Sequence, residues 1–244
     1  MLPAPQEVKP TAAHALLRVL KDRGWLRRIY TQNVDGLEYP LLAPDNVVEC
    51  HGSARRALCT RCPLRVPAGQ DMHRLFWNPL RAGATPICPT CAAPLRPAVT
   101  MFGEALGAGY GQASAEDAAA SDALIVMGTS LWVYPAAALP QAVPPSTIRV
   151  YVGREPAGCF QGLDPCPESP PLAAAALPSE AEAGAGGSAA AESEGGDSEP
   201  PPRWMCGGYR DVVYRGDCDA GARAMAAALG WESELAAVVD AYCR

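Results

Sequence analysis

The stretch "SDALIVMGTS", residues 121–130, decides the fold. An apolar run starting at Ala123 passes straight into Gly128, Thr129 and Ser130, with no alternation of polar and apolar positions. Such a run reads as a strand buried on both faces that stops at a polar loop. "STIRVYVG", residues 146–153, repeats the pattern and ends in Gly153. Helices at about 114 to 121 and 135 to 142 lie between and before these strands. That alternation predicts a doubly wound α/β sheet with parallel strands.

The same pattern recurs upstream and downstream. "KPTAAHALLRVLKDRGWLRRIYTQ" reads as helix, turn, strand: Leu16, Leu17, Val19 and Leu20 recur at helical spacing, Thr11 is the N-cap and Gly24 the C′ residue. A strand at 27–31 then ends in "TQNVDG", where Gln32, Asn33 and Asp35 cluster before Gly36. Val47 and Val48 lead into "ECHGS", and "YRDVVYRGDCD" is a further strand running into a loop. Two helices, "AGARAMAAALG" and "ESELAAVVDAYC", close the chain. Five apolar strands thus end in polar residues. In an open α/β sheet the ligand lies beyond the carboxyl ends of the strands, so the pattern describes a nucleotide crevice. The hydroxyls and N–H groups of Gly128, Thr129 and Ser130 suit a phosphate.

Two segments break the α/β pattern. Residues 54–98 are rich in Cys, Pro and Arg and carry Cys59-x-x-Cys62, then 25 residues, then Cys88-x-x-Cys91. Each pair can place two thiolates on one turn, and the four make a closed tetrahedral zinc site, hence a structural metal. Residues 164–203 are low-complexity Pro, Ala, Gly, Ser and Glu with eight carboxylates, and are expected to be disordered. Three units follow: an α/β unit from 1–53, 99–163 and 204–244, the zinc module 54–98, and the insert 164–203.

The formal charge of −6 belongs to that insert, since the rest of the chain holds 19 basic and 18 acidic residues. Half the residues are apolar, enough for a core. Ten cysteines without a secretory leader imply reduced thiols and an intracellular protein, in nucleus or cytoplasm, and no apolar run is long enough to span a bilayer. Cys50, Cys159, Cys166, Cys206, Cys218 and Cys243 lack paired spacing and read as core or incidental; His14 and His73 carry no chemistry in this reading. His51 follows a strand, a position that histidines more often occupy for packing than for catalysis.

Taken in order, "YTQNVDGLE", "ECHGS", the Cys-x-x-Cys pairs, "RPAVTMFGEAL", "MGTSLWVYPAAALP" and "RGDCDAGARAMAAALGW" closely resemble the sirtuins, most like their class I members. The resemblance runs from about residue 10 to 242, outside the acidic insert. It implies a Rossmann-like NAD-binding fold with an inserted zinc-binding part, and NAD-dependent deacylation of acetylated proteins, histones or others. His51 would be the general base, taking a proton from the nicotinamide ribose so that the sugar oxygen attacks the acyl carbon; imidazole suits that transfer. Gln32 would contact the same ribose, and Asn33, Val34 and Asp35 the nicotinamide end. Gly128, Thr129 and Ser130 would face the phosphates and adenosine ribose, and Cys218 the adenine. Phe102 would line the acyl-lysine tunnel, Val99 would offer backbone hydrogen bonds, and Glu104 and Val133 would lie on strands that pair with the substrate peptide.

The chain departs from the family pattern. The glycine-rich "GAGxSxxSGIPDFR" loop and its strand, the central strand of the family's sheet, are not among these residues. Ala98 stands for an Asp or Asn, Thr100 and Met101 for an aliphatic and an aromatic, and Gly153 for an Asn that contacts ribose. Loss of that one hydrogen-bonding side chain costs about 1 to 3 kcal/mol of binding.

Two other readings remain at this level. The electrophile at C1′ of NAD is open to a protein nucleophile, which gives mono-ADP-ribosyl transfer. A non-catalytic module binding chromatin is the other. Arg55, Arg56, Arg61, Arg65, Arg74, Arg81 and Arg96 face a single carboxylate, Asp71, between Ala54 and Arg96. That excess fits a nucleic-acid patch less well than a solvated basic face, because Phe76 and Trp77 are the only aromatics there to stack on bases.

Overall fold

The structure, a computed structural model, describes residues 8–106, 109–165, 204–207 and 210–243. Helix α1 (Ala12–Asp22) opens the chain. Thr11 is its N-cap, with its backbone N–H donating to His14 Nδ1 at 3.2 Å, so His14 serves the helix terminus. Arg23 is the C-cap, and Gly24 follows with φ +73°, in the C′ position. Strands β1 (Ile29–Thr31) and β2 (Val47–Glu49) then pair in parallel.

A three-stranded antiparallel sheet follows, β3 (Gly52–Cys59) at its centre between β4 (Arg65–Val66) and β5 (Leu95–Val99). It is covered by helical residues 70–81: α2 (Gln70–Met72), a π-helical turn His73–Trp77, and α3 (Asn78–Arg81). Met72 and Phe76 are buried against Ala57, Val66 and Leu95.

The larger sheet comes last. Helix α4 (Gly109–Ala119) leads to β6 (Ala123–Met127), and a 3-10 turn Ala136–Ala138 with the short α5 (Leu139–Ala142) leads to β7 (Ile148–Gly153). Strands β8 (Asp164–Pro165), β9 (Trp204–Gly207) and β10 (Asp211–Arg215) complete it, in the order β6-β7-β10-β9-β8. Strands β6, β7 and β10 are parallel, whereas β9 runs antiparallel to β10 and β8 to β9. Helices α6 (Cys218–Leu229) and α7 (Glu232–Tyr242) close the fold.

Alternate residues of β7 and β10 show why this sheet needs two covers. Val152 and Tyr214 pack with Leu16, Val19, Ala222 and Leu235 of α1, α6 and α7. Tyr151 and Val213 face the opposite layer with Leu131, Ala137 and Phe160. The register sets Arg149 directly beside Asp211, and their side chains form a buried bidentate pair at 2.6 and 2.5 Å. Arg149 Nη1 also donates to Pro140 O at 2.7 Å, which holds α5 to the sheet.

Several expectations are corrected. Helix α4 starts earlier than residue 114, because Tyr110 is buried beside Cys50 and Ala136. Residues 164 and 165, placed in the disordered insert, instead pair through their backbone with Cys206 and Met205. The rest of that insert, 166–203, lies outside the described residues. The parallel strands form two sheets rather than one: among the described residues β1 is paired only with β2, and β6 only with β7.

Asp117 of α4 ties the smaller parallel pair to the body. Its carboxylate, 7% exposed, accepts Arg27 Nε at 2.7 Å and the Tyr30 hydroxyl at 2.5 Å, and forms an ion pair with Arg28, whose Nε lies 2.6 Å away. Burial alone would raise its pKa; the Tyr30 hydroxyl and the two guanidinium groups outweigh burial and hold it below the ordinary carboxylate value. Its stabilisation is therefore complete above the unfolded-state pKa of about 4 and is lost as pH falls through the lower folded value. Asp117→Asn should cost about 2 kcal/mol at neutral pH, given the partly exposed arginines. Urea unfolding against pH checks this: the variant should lose less stability than the parent below about pH 4.

Candidate active site and metal centre

The polar strand-ends meet. Gln32, just past β1, donates from Nε2 to Thr129 Oγ1, just past β6, at 3.1 Å, joining the two parallel sheets at their carboxyl ends. Thr129 Oγ1 also accepts Leu131 N at 3.2 Å, and Tyr151 donates its hydroxyl to Thr129 O at 2.9 Å and to Glu155 O at 3.0 Å. Burial raises the pKa of Tyr151, which keeps it a donor. Gly128 has φ +63°, and a Cβ there would lie 3.0 Å from Cys218 Sγ at the start of α6. The backbone of Gly128, Thr129 and Ser130 is thus brought up to the N-terminus of α6, where Asp217 caps Ala220 N at 2.7 Å. Burial, with Asp219 and Asp217 next, pushes the Cys218 thiol up, so it stays protonated.

His51 stands at the corner between β2 and β3. Its Nδ1 lies 3.2 Å from Gln32 O, and its Nε2 is buried without a hydrogen-bond partner. A carbonyl can only accept, so the bond assigns the proton to Nδ1 and leaves the Nε2 lone pair free. Cys50 N donates to Thr31 O and Thr100 N to His51 O, both at 2.9 Å, so the corner is fastened to β1 and to the end of β5. Gly52 makes the corner fit: its φ is +75°, and a Cβ would lie 2.2 Å from Ala98 O. Gly52→Ala should cost about 3 kcal/mol from the left-handed backbone and the displaced strand, read as a lower urea midpoint. Beside the histidine, Cys50 is buried and burial pushes its thiol up to about 11, which excludes a thiolate–imidazole pair.

After β1, Asn33 N donates to Thr31 Oγ1 at 3.2 Å, Val34 O accepts Ala54 N at 2.8 Å, and Asp35 Oδ1 accepts Leu37 N at 3.2 Å. These bonds fix the loop and keep it beside β3. The substrate side differs from expectation. Val99 ends β5 and its carbonyl accepts Arg96 Nη1 at 3.0 Å. Glu104 is not on a strand: Met101 N donates to its Oε2 at 3.0 Å and Glu104 N to Met101 O at 2.9 Å, a closed turn. That turn throws Phe102 outward, 98% exposed, so no tunnel surrounds it. Val133 is also off any strand, since its carbonyl starts the helical turn by accepting Ala137 N at 3.0 Å.

The metal centre is compact. The Sγ atoms of Cys59, Cys62, Cys88 and Cys91 all lie within 4.8 Å of one another, with Cys59 to Cys91 at 3.4 Å and Cys62 to Cys88 at 3.6 Å. Thiolates about 2.3 Å from one tetrahedral zinc stand about 3.8 Å apart, so the set fits that ion. Two tight turns present them, closed by Cys59 N to Leu64 O and Cys88 N to Ala93 O. Cys59 Sγ accepts Cys62 N and Arg61 N at 3.3 Å, which pulls its thiol down to about 6. The arginines nearby are largely engaged: Arg56 with Glu49, Arg74 with Asp71, Arg96 with Glu104, and Arg55 over the Tyr39 ring.

The carboxyl ends of β1 and β6 meet through Gln32 and Thr129, and four cysteine thiols gather on two turns of the antiparallel sheet, defining an α/β protein with a site fit for a structural zinc. Residues 1–135 match the model of the Sir2 family, and the chain belongs to that family. It is 29% identical over 237 residues to the NAD-dependent protein deacetylase hst2 of Schizosaccharomyces pombe, covering 97% of this chain and 56% of that protein. It is 30% identical over 236 residues to the NAD-dependent protein deacetylase sirtuin-2 of Danio rerio, covering 96% and 54%. With the Mus musculus NAD-dependent protein deacetylase sirtuin-3 it shares 39% over 157 residues, covering 64% and 45%. The chain spans about half the length of these relatives. The Rossmann-like α/β fold with parallel sheets is that of the family.

Proposed function

We propose that this chain is an NAD-dependent protein-lysine deacetylase that releases nicotinamide and O-acetyl-ADP-ribose from NAD and an acetylated protein, such as a histone. One observation carries the reading: His51 donates from Nδ1 to a carbonyl and holds a buried, unpartnered Nε2 lone pair at the corner between β2 and β3, beside Gln32. Bound NAD supplies an activated bond between nicotinamide and C1′, where the acyl oxygen of acetyl-lysine attacks. His51 Nε2 accepts the ribose hydroxyl proton, and the bond from Nδ1 to Gln32 O steadies the imidazolium that results. Gln32 is held by Thr129 beside that ribose, while Asn33, Val34 and Asp35 bound the nicotinamide end. Gly128, Thr129 and Ser130 receive the phosphates, and Cys218 borders the adenine. Val99, Phe102, Glu104 and Val133 form the approach of the acyl-lysine and its peptide. The zinc of Cys59, Cys62, Cys88 and Cys91 is structural.

We place the protein inside the cell, in nucleus or cytoplasm. The eight cysteines with described side chains are all free, as expected of a reducing compartment, and among the described residues no helix is long and apolar enough to cross a membrane. The test is incubation with NAD and an acetyl-lysine peptide, followed by mass spectrometry. Deacetylated peptide and acetylated ADP-ribose are expected. ADP-ribose attached to protein, with the peptide still acetylated, would replace this reading by ADP-ribosyl transfer.

A further inference from the structure

Away from His51, a cavity of about 530 Å³ opens between the loop after β1, the helical cover of the zinc module, the lead-in to α1 and the end of α7. Tyr39, Trp77 and Tyr242 give it aromatic walls, and Arg55 and Lys9 give it positive charge. His73 adds an imidazole, and Asp35 is its one carboxylate, with Oδ1 already accepting Leu37 N.

Arg55 is the unusual member. Its guanidinium lies over the Tyr39 ring, 4.6 Å from the centroid, and its stem fills the space beside Gly36. Among the described residues neither Arg55 nor Lys9 has a hydrogen-bonded or ion-paired side-chain partner. Three arginines of this part of the chain behave differently: Arg56, Arg74 and Arg96 are each closed by a carboxylate. A guanidinium whose face is covered and whose N–H fork is free presents a planar, bidentate receptor for a carboxylate. The volume lies in the range of small-molecule sites, where apolar walls bind and a few polar groups orient. One wall contains the π-helical turn His73–Trp77, a departure from α geometry that is frequent at functional sites.

We propose that this cavity is a binding site for a planar aromatic carboxylate, with Arg55 pairing the carboxylate and Tyr39, Trp77 and Tyr242 enclosing the ring. His51 is not among the residues lining the cavity, whose rim shares Asp35 with the loop proposed to bound the nicotinamide end, and the proposal does not depend on the proposed deacetylation.

Isothermal titration of the full chain with naphthalene-2-carboxylate tests it, with neutral naphthalene-2-carboxamide as the control. One saturable site is expected, with the amide at least about tenfold weaker. Arg55→Gln should weaken the carboxylate by a similar factor, and Lys9→Gln by less, while Arg61→Gln, outside the cavity, should leave it unchanged. Thermal melting of each variant confirms that folding is retained. No saturable binding at millimolar carboxylate, equal binding of the amide, or an unaffected Arg55→Gln would overturn the proposal. Displacement of the carboxylate by NAD would also overturn it, by making the cavity an extension of the crevice.

Discussion

Replacing His51 by alanine should lower the rate of peptide deacetylation by about 10²- to 10⁴-fold, the span typical of a lost general base. The same variant should still exchange labelled nicotinamide into NAD in the presence of acetylated peptide. The two outcomes separate because the proposed proton transfer follows departure of nicotinamide. The geometry supports that division: His51 is attached to the first sheet through Gln32 O, and its only free nitrogen is Nε2. Gln32 and Thr129, which remain in His51→Ala, hold each other without help from the imidazole. Equal loss of exchange and deacetylation would assign His51 to NAD binding or to the first step. His51→Gln distinguishes packing from chemistry, since an amide can refill the corner but cannot act as a base near neutral pH.

Replacing Cys88 by serine should remove the metal and unfold the antiparallel sheet. A structural zinc contributes on the order of 10 kcal/mol to a small fold of this kind, more than the marginal stability of most domains. Cys88 is buried and sits in the same cluster as Ala57, Val66, Met72 and Leu95, so metal and apolar core are one unit. The consequence reaches the crevice. Strand β3 begins at Gly52, next to His51, and the end of β5 fastens His51 O through Thr100 N. Loss of zinc should therefore abolish deacetylation as well as the protection of β3 and β5 amides in hydrogen exchange. The parent chain should hold one zinc by atomic emission and Cys88→Ser none. Full metal content and unchanged melting in Cys88→Ser would refute the closed four-thiolate site.

Local patterns carried much of this into the sequence. Ile148–Gly153 reads as a buried parallel strand because both faces of β7 are covered, which erases alternation; the run Ala123–Met127, expected to be buried on both faces, is a parallel strand but lies at the edge of the described sheet with only Val126 buried. The Cys-x-x-Cys pairs identify their site because each pair needs only one turn. Pairings set by distant groups were not legible. Tyr151 reads as one more aromatic in a strand, yet its hydroxyl ties Thr129 O of the candidate phosphate loop to Glu155 O just past β7. Asp117 reads as a helical surface residue, and only the packing of α4 brings it to Arg27, Arg28 and Tyr30. The strands expected at Glu104 and Val133 failed for a local reason, since Glu104 folds back on Met101 and the Val133 carbonyl starts a helical turn. Nor does apolar periodicity reveal that Gln32 and Thr129 lie on different sheets and meet only at their ends.

The most direct measurement is the molar ratio of nicotinamide released to peptide deacetylated, followed over one time course with the unmodified chain. The proposed reaction requires one to one, with acetylated ADP-ribose appearing in the same amount and both products lost in Cys88→Ser. Nicotinamide release with the peptide left acetylated, or deacetylation that proceeds without NAD, would contradict it.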